Sequence, residues 1–403
     1  MGLILVAEAL SRVLADAHPL PAECVPIPQA HGRVLAADLA ALRTQPPADV
    51  SAMDGYAARS EDLAKAPVRL KLVGEVAAGH PFGGVVGAGE AVRIFTGGVL
   101  PQGTDAIAIQ ENTAREDGFV VVSVAAPKGK HVRMEGLDFR RGTVLLHRGR
   151  RLSDRDLALI AAMNHERVSV RRRPRVAVLA TGDELVMPGS SPGPGEIVYS
   201  NGYATVALAR REGGSVMDLG IVPDRVDKTV EAVRRARDEG GDILVTSGGA
   251  SVGDYDLVRH ALASEGLALS FWKVALRPGR PILHGRLGTM HVLGLPGNPV
   301  SAYVCALLFL VPLIRRLSGR ADLEMARETA VLGCDLPEND ERTDYLRACL
   351  TAVAGRPSLV TPAPVQDSSM LAPLAAADCL LIREPHAPAA AAGTLCSIIR
   401  LGT

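Results

Sequence analysis

From Arg175 onward the chain alternates short, mostly apolar runs with helical spacing, and this alternation restricts the fold more than any other feature. The runs lie at Val176–Leu179, Val216–Ile221, Ile243–Val245 and His291–Leu295. Helical patterns follow them near 203–212, 227–238, from Asp256, and at 300–317. Strands this short, separated by helices of this length, require a parallel, doubly wound sheet. In such a sheet, ligands sit outside the carboxyl ends of the strands.

The runs end in turns that carry chemistry. The first leads to Thr181, Gly182, Asp183 and Glu184, the second to Asp224, the third to Ser247, Gly248 and Gly249, and the fourth to Pro296, Gly297, Asn298 and Pro299. Gly-rich turns that open helices present backbone N–H groups and a positive dipole end to an anion. The turn at 246–256 keeps two readings: a phosphate cradle, or a plain strand–helix turn whose glycines serve only positive φ. Acids occur on three of these turns, at Asp183 and Glu184, at Asp224, and at Asp254 and Asp256. Carboxylates face a phosphate favourably only across a cation, most simply Mg²⁺. Asp256 equally fits a helix N-cap.

Outside this region the periodicity changes. Residues 6–17 have helical spacing, stopped by Pro19 and Pro21. Between 43 and 141, short alternating runs separated by Gly/Pro turns predict a β-rich inserted domain. Within it, Asp54 with Gly55, and Thr96 with Gly97 and Gly98, repeat the acid, hydroxyl and glycine chemistry of the sheet edge. A helix returns at 153–163 with Ser153 as N-cap, and is expected to pack on the N-terminal helix. The fold class is therefore α/β plus β, and multidomain. Residues 1–42 and 142–173 form a discontinuous small helical domain, and 43–141 the β insertion. Residues 174–322 form the catalytic α/β domain, and 323–403 a C-terminal small β domain.

Composition excludes several functions. A net charge of zero and 3% aromatic residues give neither an electrostatic footprint nor a stacking surface for nucleic acid. Six cysteines without a CxxC pair fit a reducing, cytoplasmic setting. The longest apolar run, Ala302–Ile314, has 13 residues and includes Pro312; it reads as a buried helix rather than a membrane span. Of only six lysines, Lys273 stands beside the single tryptophan, Trp272, with Arg277 and Arg280 following. Those residues suit either an anion contact or a solvated strand end.

Five motifs then occur together and in order: SAMDGYA (Ser51–Ala57), FTGG (Phe95–Gly98), ATGDEL (Ala180–Leu185), SGGASVG (Ser247–Gly253) and GLPGNPVS (Gly294–Ser301). In them the chain resembles the molybdopterin molybdenumtransferase family, bacterial relatives of the gephyrin E domain. The resemblance implies a four-domain homodimer whose active crevice on the α/β domain is completed by the other subunit. The implied substrates are adenylylated molybdopterin and molybdate. A divalent cation assists cleavage of the phosphoanhydride, AMP leaves, and molybdenum stays on the dithiolene. The family's functional acids fall on Asp54, Asp138, Glu184, Asp224 and Asp256, with Glu184, Asp224 and Asp256 as metal ligands, and its β-domain threonine on Thr96. Substrate contacts fall on Thr181, Gly182, Ser247, Gly248, Gly249, Ser251, Pro296, Gly297, Asn298, Pro299 and Ser368. Its basic pair falls on Lys273 and Arg277, with Arg277 replacing the usual lysine. Tyr199 stands where the family usually has an aspartate, and the turn it belongs to is left outside the core site. The resemblance also implies contact with the preceding adenylyltransferase and with acceptor proteins for the finished cofactor. That adenylyltransferase activity itself and a gephyrin-like scaffold are the rival readings.

Overall fold

The computed structural model describes residues 3–77, 79–248 and 257–402. Its centre is a six-stranded sheet in the order Ser215–Val222, Arg175–Thr181, Ile243–Ser247, Met290–Leu295, Pro281–Leu287, Ala268–Lys273. The first four strands are parallel, as the alternation requires. The last two run antiparallel and were not anticipated as a pair. Both faces of the sheet are covered, so successive residues of one strand enter different cores. Val178, Val245 and Leu293 pack with Val206 and Leu307, while Leu179, Leu244 and Val292 pack with Val233 and Leu262. Such two-sided burial is why the runs read as continuously apolar.

The helices Asn201–Arg211, Val226–Asp238 and Leu257–Ser264 connect the strands. A fourth, Pro299–Leu317, has 19 residues and is long and apolar enough to cross a membrane, but 89% of it is buried inside the protein. It is longer than the apolar run that announced it. Its middle, Ala306–Leu310, widens into a π-helical turn just before Pro312. Pro312 has no N–H to give the preceding turn and its ring crowds the carbonyl four residues back, so a wider turn there relieves both problems. At the other side of this helix, Arg315 Nε donates to the buried Glu212 at 2.8 Å and Arg320 Nη1 to the same oxygen at 2.9 Å. That cluster ties the helix to Asn201–Arg211.

The inserted region forms a second six-stranded sheet, ordered Ala106–Ile109, Gly55–Ala58, Glu90–Ile94, Val68–Val76, Phe119–Val122, Thr113–Glu116. Gly55 is obligatory in it, because a Cβ there would lie 2.0 Å from the Ala108 carbonyl oxygen. The chain enters and leaves this region through antiparallel pairs, Ala22–Pro26 with Arg167–Arg171 and Leu39–Ala40 with Val144–Leu146. Helix Asp154–Ala162 carries the anticipated cap, in which Ser153 and Asp156 bond reciprocally. It does not share a core with the N-terminal helix Val6–Ala15, contrary to expectation. Ile160 packs with Leu35, Leu152 and Val170, whereas Ala9 and Val13 join the core that holds Leu307 and Leu310. The N-terminal helix thus belongs, by packing, to the central sheet.

At the C-terminus five strands, Arg327–Leu332, Thr343–Thr351, Leu359–Pro362, Cys379–Arg383 and Leu395–Arg400, close into a small barrel through the pairing of Thr343–Thr351 with Cys379–Arg383. Leu276–Arg277, from beside the central sheet, adds to it in parallel at Thr343 and Asp344. This seam fixes the barrel against the sheet and brings its loop 366–370 to the sheet's C-terminal edge.

Candidate active site

Register places the chemistry. Ala180 pairs with Ser247, and Ser247 with Leu295. The three turns that follow, at Thr181-Gly182, Ser247-Gly248 and Pro296–Asn298, therefore emerge side by side. They open onto a cleft of about 260 Å³ whose walls include Thr181, Glu184, Tyr199, Ser200, Asn201, Ser247, Gly248, Gly297, Asn298 and Pro299. Seven of those ten belong to the residues singled out from the sequence.

The glycines have distinct tasks. Gly248 has φ +92, and a Cβ on it would sit 2.5 Å from the Thr181 carbonyl oxygen, so two strand ends can approach only here. At Gly182, a Cβ would meet the Glu184 carboxylate at 2.6 Å; Glu184 folds back over that turn. Gly297 faces open space, with nothing within 4 Å of the site of a Cβ.

Two helices begin at the cleft, Asn201–Arg211 after Ser200 and the Pro299 helix after Asn298. Neither N-cap side chain bonds its own helix. Asn201, the first residue of its helix, donates from Nδ2 to the Gly297 carbonyl at 2.7 Å, and the cap residue Asn298 donates from Nδ2 to Ser368 Oγ at 2.9 Å, while the Val300 N–H donates to the Ser368 carbonyl at 3.0 Å. The cleft walls are thus braced to each other, and the positive end of the Asn201 helix stays open to an anion. The hydroxyls of Thr181, Tyr199 and Thr246 are buried and without hydrogen-bond partners. No lysine or arginine is among the described lining residues.

Beside the cleft lie carboxylates. The Asp224 N–H donates to Asp183 Oδ1 at 3.0 Å. Burial, joined by the negative charges of Asp183 and Glu184, holds the Asp224 carboxyl above the ordinary range, although the Asp183 backbone N–H opposes this by bonding to that carboxylate. Among the described residues no three acid, imidazole or thiolate groups converge as a complete metal cage. Gly249, Ser251, Asp254 and Asp256 lie outside the described residues.

The remaining anticipated residues are placed as follows. Pro296 is buried at the end of its strand. Ser368 reaches the cleft rim through Asn298. Asp54 and Thr96 meet each other in the inserted sheet: the Thr96 N–H and hydroxyl donate to Asp54 Oδ1 at 2.7 and 2.8 Å. Those bonds hold the Asp54 carboxyl below the usual range. Asp138 is exposed, with its N–H on the Gln45 carbonyl. Lys273 rests its ammonium 4.9 Å from the Trp272 ring. Arg277 donates to Asp340 at 3.1 Å, to Asn339 at 3.0 Å and to Asp344, so its charge serves the barrel seam. None of Asp54, Thr96, Asp138, Lys273 and Arg277 lines the cleft within this chain.

Four residues of the site escaped the sequence reading. Tyr199, Ser200 and Asn201, of the turn set aside there, line the cleft. Arg347 is 1% exposed and holds the Ser368 loop. It donates to Gln366 Oε1 at 3.2 Å and to the Met370 and Val365 carbonyls at 3.0 and 3.3 Å. A lone arginine in a barrel strand gives no signal of this in sequence.

Comparison with known proteins agrees with this geometry. Residues 4–164 match the MoeA N-terminal region (domain I and II), 177–316 a probable molybdopterin binding domain, and 329–401 the MoeA C-terminal region (domain IV). The chain is 40% identical over 306 residues to the molybdopterin molybdenumtransferase of Nostoc sp., covering 74% of this chain and 70% of that one. The chain belongs to the molybdopterin molybdenumtransferase family. The Haemophilus influenzae member is 35% identical over 84% of both chains. The crystal structure of a molybdopterin biosynthesis MoeA protein from Pyrococcus horikoshii superposes with a TM-score of 0.85 at 27% identity, covering 99% of this chain and all of that one. Within this family, the segment matched as a probable molybdopterin binding domain is the one that carries the cleft. Tyr199, the departure noted above, packs its hydroxyl 1.5 Å from where a Gly202 Cβ would stand. Burial, with the Asp218 and Tyr203 charges behind it, pushes that hydroxyl up to about 12. It therefore adds a neutral wall at a place where a carboxylate would add charge.

Proposed function

We propose that the chain transfers molybdenum from molybdate to adenylylated molybdopterin, releasing AMP. Family membership supports the coarser statement, a transferase of molybdenum cofactor biosynthesis. The observation that carries the finer one is the cleft itself. An open helix N-terminus, the Gly248 and Gly297 turns and two buried hydroxyls meet in a space with no lysine or arginine among its described lining residues. Such a site suits a phosphorylated, polar-edged ligand held by N–H and hydroxyl donors.

A divalent cation fits the neighbouring acids. Asp224 is crowded by Asp183 and Glu184, which a cation would relieve, and the incomplete cage matches Mg²⁺, which binds through one or two carboxylates and completes its shell on phosphate and water. Glu184 and Asp224 would hold it, with Asp256 as a further candidate. Bound there, it would neutralise charge on the phosphate. The protein's own residues do the rest. Ser247, Gly248 and the Asn201 helix orient the anion. Asn201 and Asn298, braced on Gly297 and Ser368, keep the walls at fixed separation. Leu185, Ile197 and Val198 give one side of the cleft an apolar lining.

The proposal includes a homodimer. Asp54 and Thr96 present acid and hydroxyl groups away from the cleft of their own chain, which supports completion of the site by a second copy. Cytoplasmic location, and exchange with an adenylyltransferase and acceptor proteins, belong to the same reading. The test is direct: purified protein incubated with adenylylated molybdopterin, molybdate and Mg²⁺ should release AMP, and failure to release it would refute the assignment.

A further inference from the structure

Arg93 forms no ion pair among the described residues, although it is a half-buried cation in the centre of the inserted sheet. Its contacts have a common direction. The guanidinium Cζ lies 5.0 Å from the Tyr56 ring centroid and 4.8 Å from that of Phe95. Nη2 donates to Gln110 Oε1 at 2.8 Å, and Nη1 to the Gly55 carbonyl at 3.4 Å. Gly55 follows Asp54, and Phe95 precedes Thr96. The Gln110 N–H donates to the Asp54 carbonyl at 3.0 Å. Every group that Arg93 touches is therefore at most two residues, or one hydrogen bond, from Asp54 or Thr96.

From this arrangement we infer that Arg93 is a positioning residue for the Asp54–Thr96 pair, acting in the reaction of the Proposed function, on which the inference rests. The chemistry requires such a device. Thr96 occupies Asp54 Oδ1 with both its N–H and its hydroxyl, which leaves Oδ2 as the oxygen able to face a ligand. Its direction is set by the backbone at Asp54 and Thr96, which sit at the ends of neighbouring strands where the ladder stops. A planar, five-donor fork lying against two rings can hold both strand ends at once, which a lysine cannot. Arg93 touches no reacting atom; it acts through Asp54.

The test uses full-length protein labelled with ¹⁵N-threonine, with the Thr96 amide assigned through Thr96→Ser. A short N–H bond to a carboxylate gives a downfield amide proton, which reads the Asp54–Thr96 bond without any substrate. In Arg93→Met this proton should move upfield, and kcat should fall about tenfold with KM changed less than about threefold. Arg93→Lys, which keeps the charge but not the fork, should recover only part of kcat. A Thr96 amide at its wild-type position in Arg93→Met overturns the inference, as does a moved amide with kcat intact. Should Arg93→Met not fold, Gln110→Ala removes the Nη2 anchor and leaves the backbone bond to Asp54, and the same shift is expected; an unmoved amide again overturns the inference. If wild-type protein releases no AMP, the Proposed function fails, while the amide still decides the role of Arg93.

Discussion

Asn298 donates its side-chain amide to Ser368 Oγ at 2.9 Å, joining the turn after the last parallel strand to a loop of the C-terminal barrel. The bond spans 70 residues of sequence, and it leaves the helix that Asn298 begins without a side-chain cap. Asn298 is exposed and Ser368 half-buried at the rim, so the bond does little for the core. Asn298→Ala should change folding stability by less than about 1 kcal/mol. It should nonetheless slow AMP release about tenfold, because one cleft wall loses its brace. Urea denaturation and steady-state kinetics on the same sample check both halves. A large loss of stability with unchanged turnover would contradict the assignment.

Tyr199 and Gly202 form a second pair, in which one side chain occupies the volume the other lacks. Gly202→Ala should destabilise the protein by about 2 kcal/mol or more, since the new Cβ would stand 1.5 Å from the Tyr199 hydroxyl and neither the ring nor the helix backbone can move far enough to clear it. Tyr199→Phe should be neutral or slightly stabilising, because the hydroxyl it removes is buried without a partner. A double-mutant cycle of Gly202→Ala with Tyr199→Ala should give a coupling of at least about 1 kcal/mol. Simple additivity would show that the two do not share this space.

His284 and His291 sit face to face in the antiparallel part of the central sheet, each 2% exposed, with Nε2 and Nδ1 3.5 Å apart. Burial, followed by the neighbouring positive charges, lowers them from 6.5 to about 3 and about 4. The unfolded chain therefore takes up protons below 6.5 that the folded chain refuses. Stability is full above about pH 6.5 and falls as pH drops toward 4, by up to about 1.4 kcal/mol per pH unit for each histidine. His284→Phe should make that fall shallower. Urea midpoints at pH 4.5 and pH 7 measure it; equal slopes for wild type and variant would rule the pair out as the cause.

How much of this could be read from the residues differs by region. The four parallel strands were legible because burial on both faces leaves Val176–Leu179 and Ile243–Val245 unbroken by polar residues. The antiparallel pair was not, since Pro278, Gly279 and three basic residues interrupt it. Barrel closure depends on which strand edges meet, a register property invisible in segments such as Ala330–Leu332. In the cleft, glycine and hydroxyl turns announced themselves through types that few other contexts need. Basic residues did not. Arg277 and Arg347 look alike in sequence, yet one pairs with Asp340 and Asp344, and the other carries the Ser368 loop. The N-terminal helix was assigned to the wrong neighbour because its apolar stripe states that it packs, not on what.

The central claim is that the cleft between Thr181, Ser247 and Asn298 is where adenylylated molybdopterin is cleaved. The most direct measurement is AMP released per active site, with and without molybdate, by wild type and by Glu184→Gln. Glu184 is exposed at the rim, so its variant should melt at the wild-type temperature. Wild type should release AMP in a molybdate-dependent manner, and Glu184→Gln at least about a hundredfold more slowly. Undiminished release by a folded Glu184→Gln would contradict that claim.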